Sequence, residues 1–136
     1  MGLPTPEELT AATDDLICNS LNILTMKIGA TAKAKGFHDP KEREPGVIRD
    51  ASPGERMMLI VTEVAEMMEA YRVSKNPSQF YIEVDGKPEG VASEVADVII
   101  RCLDYCDVYK IDIGTVILHK MAYNTTRSHQ HGGKAL

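Results

Sequence analysis

Apolar residues recur every three or four positions over long stretches of this chain, a spacing that predicts α-helices. Ile17, Leu21, Leu24 and Ile28 form one such stripe. The four predicted helices cover about residues 6–35, 53–74, 90–109 and 112–127. The predicted fold class is therefore all-α, a four-helix bundle-like domain.

Two of these helices begin at capping sequences. "TPEE" (5–8) and "SPGE" (52–55) each place a hydroxyl before proline and end on a glutamate. In such a capping box the hydroxyl and the glutamate each accept a hydrogen bond from a free backbone N–H. Gly36 is predicted to end the first helix, and the second must end before Pro77.

Two long connections separate the helices. Residues 37–51 are polar and interrupted by proline and glycine, and they predict a loop. Residues 75–90 contain "FYIEVDGK", whose Asp-Gly pair indicates a small hairpin. Residues 1–136 are expected to form a single domain, with 128–136 as a flexible tail.

The composition narrows the class of protein. Hydrophobic residues make up 43% of the 136 residues and charged residues 26%, which is typical of soluble globular domains. The formal net charge of −5 argues against general nucleic-acid binding, which needs a basic face. Three cysteines without CxxC spacing fit reduced thiols in a cytoplasmic protein. No leader and no apolar run of membrane-spanning length is evident, so no membrane association is expected.

The second and third predicted helices carry acidic pairs beside apolar residues. Glu63 and Glu66 lie three positions apart, as do Glu94 and Asp97, and this spacing puts each pair on one helix face. If the two helices pack antiparallel, four carboxylates converge and repel one another. A hard divalent cation, Mg²⁺ or Mn²⁺, would relieve that repulsion. Glu69 is expected to lie on the solvent-exposed face of its helix, beside the pair.

The fourth predicted helix carries a stripe of hydrogen-bond donors. Lys120, Asn124 and Arg127 are spaced i, i+4 and i+7. Lysine and arginine neutralise phosphates, and beside a metal-binding cluster such a stripe matches a triphosphate. On spacing alone the alternative stays open, in which the acids lie on solvated faces and the basic residues complement a helix dipole.

The third helix also holds Cys102, Cys106, Asp104 and Asp107. The cysteines have no matching His or Cys pair nearby, so core packing is predicted for them. Asp104 and Asp107 are expected to be exposed.

The order of these motifs resembles a known family. "EVAE" (Glu63–Glu66) and, after 27 intervening residues, "EVAD" (Glu94–Asp97) resemble the ExxE…ExxD pattern of MazG-like nucleotide pyrophosphohydrolases. This all-α group includes dimeric dUTPases and dCTP pyrophosphatases. "ATAKAKGFHD" and "KMAYNTTRSHQHGGK" are similar to the end of the family's first helix and to the C-terminal region of small members. The resemblance covers about residues 9–134.

The resemblance implies Mg²⁺-dependent hydrolysis of a nucleoside triphosphate to the monophosphate and pyrophosphate. The implied metal ligands are Glu63, Glu66, Glu94 and Asp97. The implied nucleotide contacts are Lys120, Asn124 and Arg127. Glu66 is the candidate general base, and His38, which stands where many relatives have tryptophan, is the candidate contact to the base. A homodimer or homotetramer that packs through its helices is also implied.

Other functions are open to the same sequence. A non-catalytic helical interaction or regulatory module would keep the helices without needing the acids to converge. A phosphoribosyl-ATP pyrophosphohydrolase-like enzyme shares the acidic architecture. A ferritin-like di-iron protein needs Glu-x-x-His, and neither acidic pair has histidine at that position.

Overall fold

The computed structural model describes residues 6–127, which form four α-helices and two short hairpins. The elements are α1 (Pro6–Ala34), β1 (Lys41–Glu44), β2 (Val47–Arg49), α2 (Pro53–Ser74), β3 (Tyr81–Ile82), β4 (Pro88–Glu89), α3 (Val91–Val108) and α4 (Ile113–Thr125). All four predicted helices are confirmed, with ends that agree to within two residues. The predicted cap at Thr5 and the predicted tail at 128–136 lie outside the described residues.

The predicted capping box at the start of α2 is confirmed. The Glu55 backbone N–H donates to the Ser52 hydroxyl over 3.3 Å, and the Ser52 N–H donates to the Glu55 carboxylate over 2.7 Å. Arg49 at the end of β2 also donates to Glu55, over 2.7 Å. These hydrogen bonds lower the pKa of Glu55 to about 2, and the bond from Arg49 has the largest effect. The first hairpin is thereby tied to the first turn of α2.

The prediction of a plain loop at 37–51 is wrong, because β1 and β2 pair there as an antiparallel hairpin. Gly46 makes the turn with a φ of +75°, and its N–H donates to the Glu42 carboxylate over 2.8 Å. The hairpin predicted near residues 80–87 is confirmed as β3 and β4, which pair across the turn containing Gly86.

The helices pack as an open row. α3 is central, with α2 on one side and α1 on the other, and α1 carries α4 on its far side. Within residues 6–127, α4 makes no comparable contact with α2, so one chain does not close a four-helix bundle. The all-α class is confirmed, apart from the two small hairpins.

The joint between α1 and α4 is close and polar. Gly114, in the first turn of α4, is buried against the backbone of Cys18. Beside it the Asn22 side chain donates to Asp112 over 2.8 Å. Asp112 in turn caps α4 by accepting from the Thr115 N–H over 3.3 Å and from its hydroxyl over 2.7 Å.

The buried apolar core is small for a chain of this length. In the described part its buried hydrophobic residues are Val91, Leu103 and Cys106, all on α3. Many large apolar side chains are instead more than one-third exposed. They include Leu16, Ile23 and Met26 on α1, Met58, Val61 and Met68 on α2, and Ile99 and Ile100 on α3. None of the helices within residues 6–127 has the length and apolarity that crossing a membrane requires.

Candidate metal centre

Helices α2 and α3 bring two acidic faces together. Arg56 lies opposite Asp104, and Glu63, two turns later on α2, lies opposite Arg101, which precedes Asp104 on α3. Residue numbers thus rise on one helix as they fall on the other, so the helices run antiparallel. This is the arrangement that convergence of the acidic pairs requires.

Three of the four predicted metal ligands meet. Glu63, Glu94 and Asp97 each place a carboxylate oxygen within 4.8 Å of the other two. Glu63 is buried, with 9% of its surface exposed, and the other two acids are half-buried. Glu66 is exposed and lies outside this group, although its charge acts on Glu94. The three oxygens form a hard donor set that suits Mg²⁺ or Mn²⁺ with water in the remaining positions.

Burial and mutual repulsion raise the pKa of two of these acids. The pKa of Glu94 rises through burial first, then through the charges of Asp97, Glu66 and Glu63. The pKa of Asp97 rises through burial and the charge of Glu63, with Arg101 acting against them. Both acids therefore hold protons more firmly than free carboxylates do. A divalent cation supplies the missing counter-charge and would compete with those protons.

Arg101 also belongs to the site, although no sequence motif indicates it. Its Nε donates to the Glu63 carboxylate over 2.8 Å, so it compensates and orients the most buried acid of the cluster. Arg101 lies four residues after Asp97 on α3, a spacing that places both on one helix face. That spacing was readable from the sequence.

His38 contacts Asp104 on α3. Its Nε2 lies 2.7 Å from Asp104 Oδ1, and both side chains are largely buried, with 17% and 15% of their surface exposed. Arg56 Nη1 lies 3.8 Å from the other oxygen of Asp104. The expectation that Asp104 is exposed is wrong, because these two partners compensate its charge in the interior.

Asp107 is also largely buried, with 24% of its side chain exposed, which contradicts the expectation of an exposed residue. Its carboxylate occupies the space that a side chain at Gly29 of α1 would need, since a Cβ there would lie 2.1 Å from Oδ2. The missing side chain of Gly29 is what admits Asp107 between the two helices.

The predicted donor stripe on α4 lies apart from the acidic cluster. Lys120, Asn124 and Arg127 are exposed, and Arg127 follows the end of α4 at Thr125. Lys120 Nζ lies 5.6 Å from the ring centroid of Tyr123. Because α4 packs on α1, the described residues of one chain do not bring this stripe to the acidic cluster.

An apolar groove adjoins the cluster between α1 and α3. It has a volume of about 610 Å³, within the range of small-molecule sites. Leu24, Ile28, Phe37 and Ile99 line it, and Asp97 of the acidic cluster lies in the same lining. A ligand held at the carboxylates therefore has apolar space beside it.

A metal-free comparison tests the electrostatics of the cluster. At pH 7 in EDTA, Glu94→Gln is expected to be more stable than the parent by about 1 kcal/mol, the repulsion of two charges about 4 Å apart in water. A raised carboxyl pKa means that the parent's native state favours the neutral acid, so the parent has its full stability at low pH and loses part of it as the pH rises through the raised pKa. The advantage of Glu94→Gln should therefore disappear below about pH 4.

Thermal unfolding with EDTA and with Mg²⁺ at both pH values measures this effect. With Mg²⁺ at pH 7 the order should reverse, because the variant lacks a ligand. Glu69→Gln on α2 is the control outside the cluster, since Arg72 pairs with Glu69 over 2.9 Å and lowers its pKa. If Glu94→Gln gained nothing in EDTA and responded to Mg²⁺ like the parent, the acids would not form a metal centre.

No family model matches this chain, and comparison with the curated proteins and with the solved structures gives no match. The assignment of function therefore depends on the residues themselves. Those are the converging carboxylates, the arginine that pairs with one of them, and the apolar groove beside them.

Proposed function

We propose that this chain is a MazG-like, Mg²⁺-dependent nucleoside triphosphate pyrophosphohydrolase of the cytoplasm. It would convert a (d)NTP and water to the (d)NMP and pyrophosphate, in nucleotide-pool control or housecleaning. The observation that carries the proposal is the approach of three carboxylates, Glu63, Glu94 and Asp97, to within 4.8 Å of one another. The resemblance of "EVAE" and "EVAD" to the family's ExxE…ExxD pattern supports it.

The residues of the cluster divide the chemistry between them. Glu63, Glu94 and Asp97 would hold Mg²⁺, which when bound neutralises phosphate oxygens and makes a coordinated water more acidic. Arg101 fixes the orientation of Glu63. Glu66 is exposed and free of the three-oxygen group, so its carboxylate is available to accept the proton of the attacking water. The water oxygen bonds to phosphorus as the bond to the pyrophosphate oxygen breaks.

The groove between α1 and α3 offers a place for the nucleoside. Phe37, with 58% of its surface exposed, lines this groove and can stack on a base. Its neighbour His38 points to Asp104. His38 would therefore act on the base by supporting this wall of the groove.

A homodimer or homotetramer is part of this proposal. Large apolar side chains of α1, α2 and α3 are exposed, and a second copy packed on these helices would cover them. A second copy would also be the source of Lys120, Asn124 and Arg127 at the site, since α4 packs only on α1 in the described part of the chain. Sedimentation velocity at micromolar concentration should show a dimer or larger, and a monomer there would contradict this.

The direct test is a substrate screen. Purified full-length protein is incubated with Mg²⁺ and each standard or modified NTP and dNTP, and with phosphoribosyl-ATP for the alternative enzyme, while pyrophosphate release is followed. Release should depend on Mg²⁺, persist with Mn²⁺ and stop in EDTA. No release from any of these compounds would refute the hydrolase proposal.

The exposed apolar faces also favour a second candidate, a non-catalytic helical interaction module. Such a module does not need the metal centre. A thermal shift with Mg²⁺ separates the two, because the hydrolase is stabilised by about 2.7 kcal/mol at a metal concentration one hundred times the dissociation constant. An interaction module should unfold at the same temperature with and without Mg²⁺.

A further inference from the structure

A second, basic pocket lies next to the metal centre. It is formed by β1, the first turns of α2 and the middle of α3, and has a volume of about 720 Å³. Lys41, Arg43, Arg56 and Arg101 line it, and we call these four residues the basic pocket. A concentration of positive charge is unusual in a chain whose formal net charge is −5.

Two guanidinium groups of the basic pocket have donors without acceptors. The Nε atoms of Arg43 and Arg56 are buried, and neither has a hydrogen-bond partner among residues 6–127. The Arg56 side chain is only 11% exposed, and its ion pair with Asp104 is long at 3.8 Å. A buried donor without an acceptor destabilises the folded state, and more so when it is charged. Both guanidinium groups therefore keep hydrogen-bonding capacity that the described residues do not use.

The acids around the pocket do not neutralise it. Glu55 lies in its lining, but Arg49 and the Ser52 N–H already occupy its carboxylate. Asp104 is shared between His38 and Arg56. Lys41 and Arg43 form no ion pair with any residue in the described part of the chain. The excess charge is positive, and arginine pairs best with phosphate or carboxylate oxygens, often through two bonds.

Arg101 connects the basic pocket to the metal centre. It lines the pocket, and its Nε is 2.8 Å from Glu63 of the acidic cluster. The pocket therefore begins one side chain away from the carboxylates. A ligand that carries several phosphates in a row can reach from the cluster into the pocket, whereas a single carboxylate is too short to do so.

We propose that the basic pocket binds the β- and γ-phosphates of the substrate and holds them as pyrophosphate after cleavage. This inference rests on the proposed hydrolase function, since it names the part of the substrate that lies beyond the metal centre. It assigns the terminal phosphates to Arg43, Lys41 and Arg56 of the same chain. The α4 stripe is left for other parts of the nucleotide.

Inorganic pyrophosphate is the probe. In a calorimetric titration of full-length protein in EDTA, Arg43→Gln is expected to weaken pyrophosphate binding by about tenfold or more, which is 1.4 kcal/mol. Lys41→Gln, a second variant on β1, should weaken it in the same direction. Arg72→Gln removes the same charge from an exposed pair with Glu69 and should bind like the parent.

Turnover separates this inference from the proposed function. With a hydrolysed NTP, Arg43→Gln should raise KM and the inhibition constant of pyrophosphate by a similar factor. Equal pyrophosphate binding by the parent, Arg43→Gln and Lys41→Gln would overturn the pocket assignment, even if the protein hydrolyses NTPs. Weakened binding in Arg43→Gln, without hydrolysis of any NTP by the parent, would support the pocket as an anion site and overturn the hydrolase.

Discussion

Asp97→Asn is expected to lower kcat for NTP hydrolysis by about 10²–10³-fold, the usual loss when one electrostatic contributor is removed from a prearranged site. The amide keeps the shape of the side chain but removes a charge from the three acids that lie within 4.8 Å of one another. Removing it leaves two carboxylates, one of which is already paired with Arg101. The stabilisation by Mg²⁺ in thermal unfolding should fall together with kcat, while the helical circular dichroism stays unchanged.

The matched control is Glu69→Gln, one turn beyond Glu66 on the same helix. Glu69 is 58% exposed and pairs with Arg72, so its loss should leave kcat within about twofold of the parent. Glu66→Gln completes the series and tests the candidate general base. Full turnover by both Glu66→Gln and Asp97→Asn would show that the site is assigned to the wrong residues.

Gly114→Ala is expected to be strongly destabilising. An added Cβ would lie 2.7 Å from the Cα and carbonyl oxygen of Cys18, distances that Cβ atoms do not adopt. These are backbone atoms of α1, so no side-chain rotation relieves the clash and α4 must move away. The displacement would also stretch the hydrogen bond from Asn22 to Asp112. We expect a loss of about 3 kcal/mol and a fall in Tm of about 10 °C.

Gly54→Ala serves as the control for that substitution. Gly54 is also in the first turn of a helix, but a Cβ added there would meet only the Ser52 hydroxyl, at 4.0 Å. Alanine there should be neutral or stabilise by up to about 1 kcal/mol, since glycine is the poorer helix former. Calorimetry of both variants checks the pair. Equal Tm values would mean that the α1–α4 joint is looser than described.

The helices could be predicted because their apolar spacing and their caps are local signals. "SPGE" at 52–55 identifies both residues that form the capping box, Ser52 and Glu55. The hairpin at β1 and β2 gave no such signal, since "KERE" has no alternation of apolar and polar residues. What holds it are contacts of its particular side chains, Glu42 to the Gly46 N–H and Arg49 to Glu55.

In the candidate site, too, some features follow from local sequence spacing and others depend on how distant parts of the chain pack together. The acidic pairs follow from three-residue spacing on two helices, and Arg101 follows from the four-residue spacing after Asp97. The pairing of His38 with Asp104 joins residues far apart in sequence and depends on how α3 meets the end of α1. Arg43 and Arg56 share a pocket for the same reason. Spacing along one helix predicts faces, but it does not predict which faces meet.

The position of the acids within the open row of helices bears on the order of folding. All of the converging carboxylates belong to α2 and α3, which are consecutive helices joined through the short β3–β4 hairpin. Contacts between consecutive elements form sooner than contacts across a long stretch of chain, such as those of α1 with α3. The acidic cluster would thus be assembled in a partly folded chain, before α1 docks. Divalent cations should then accelerate refolding and change the unfolding rate little, since they would bind a structure already present in the transition state.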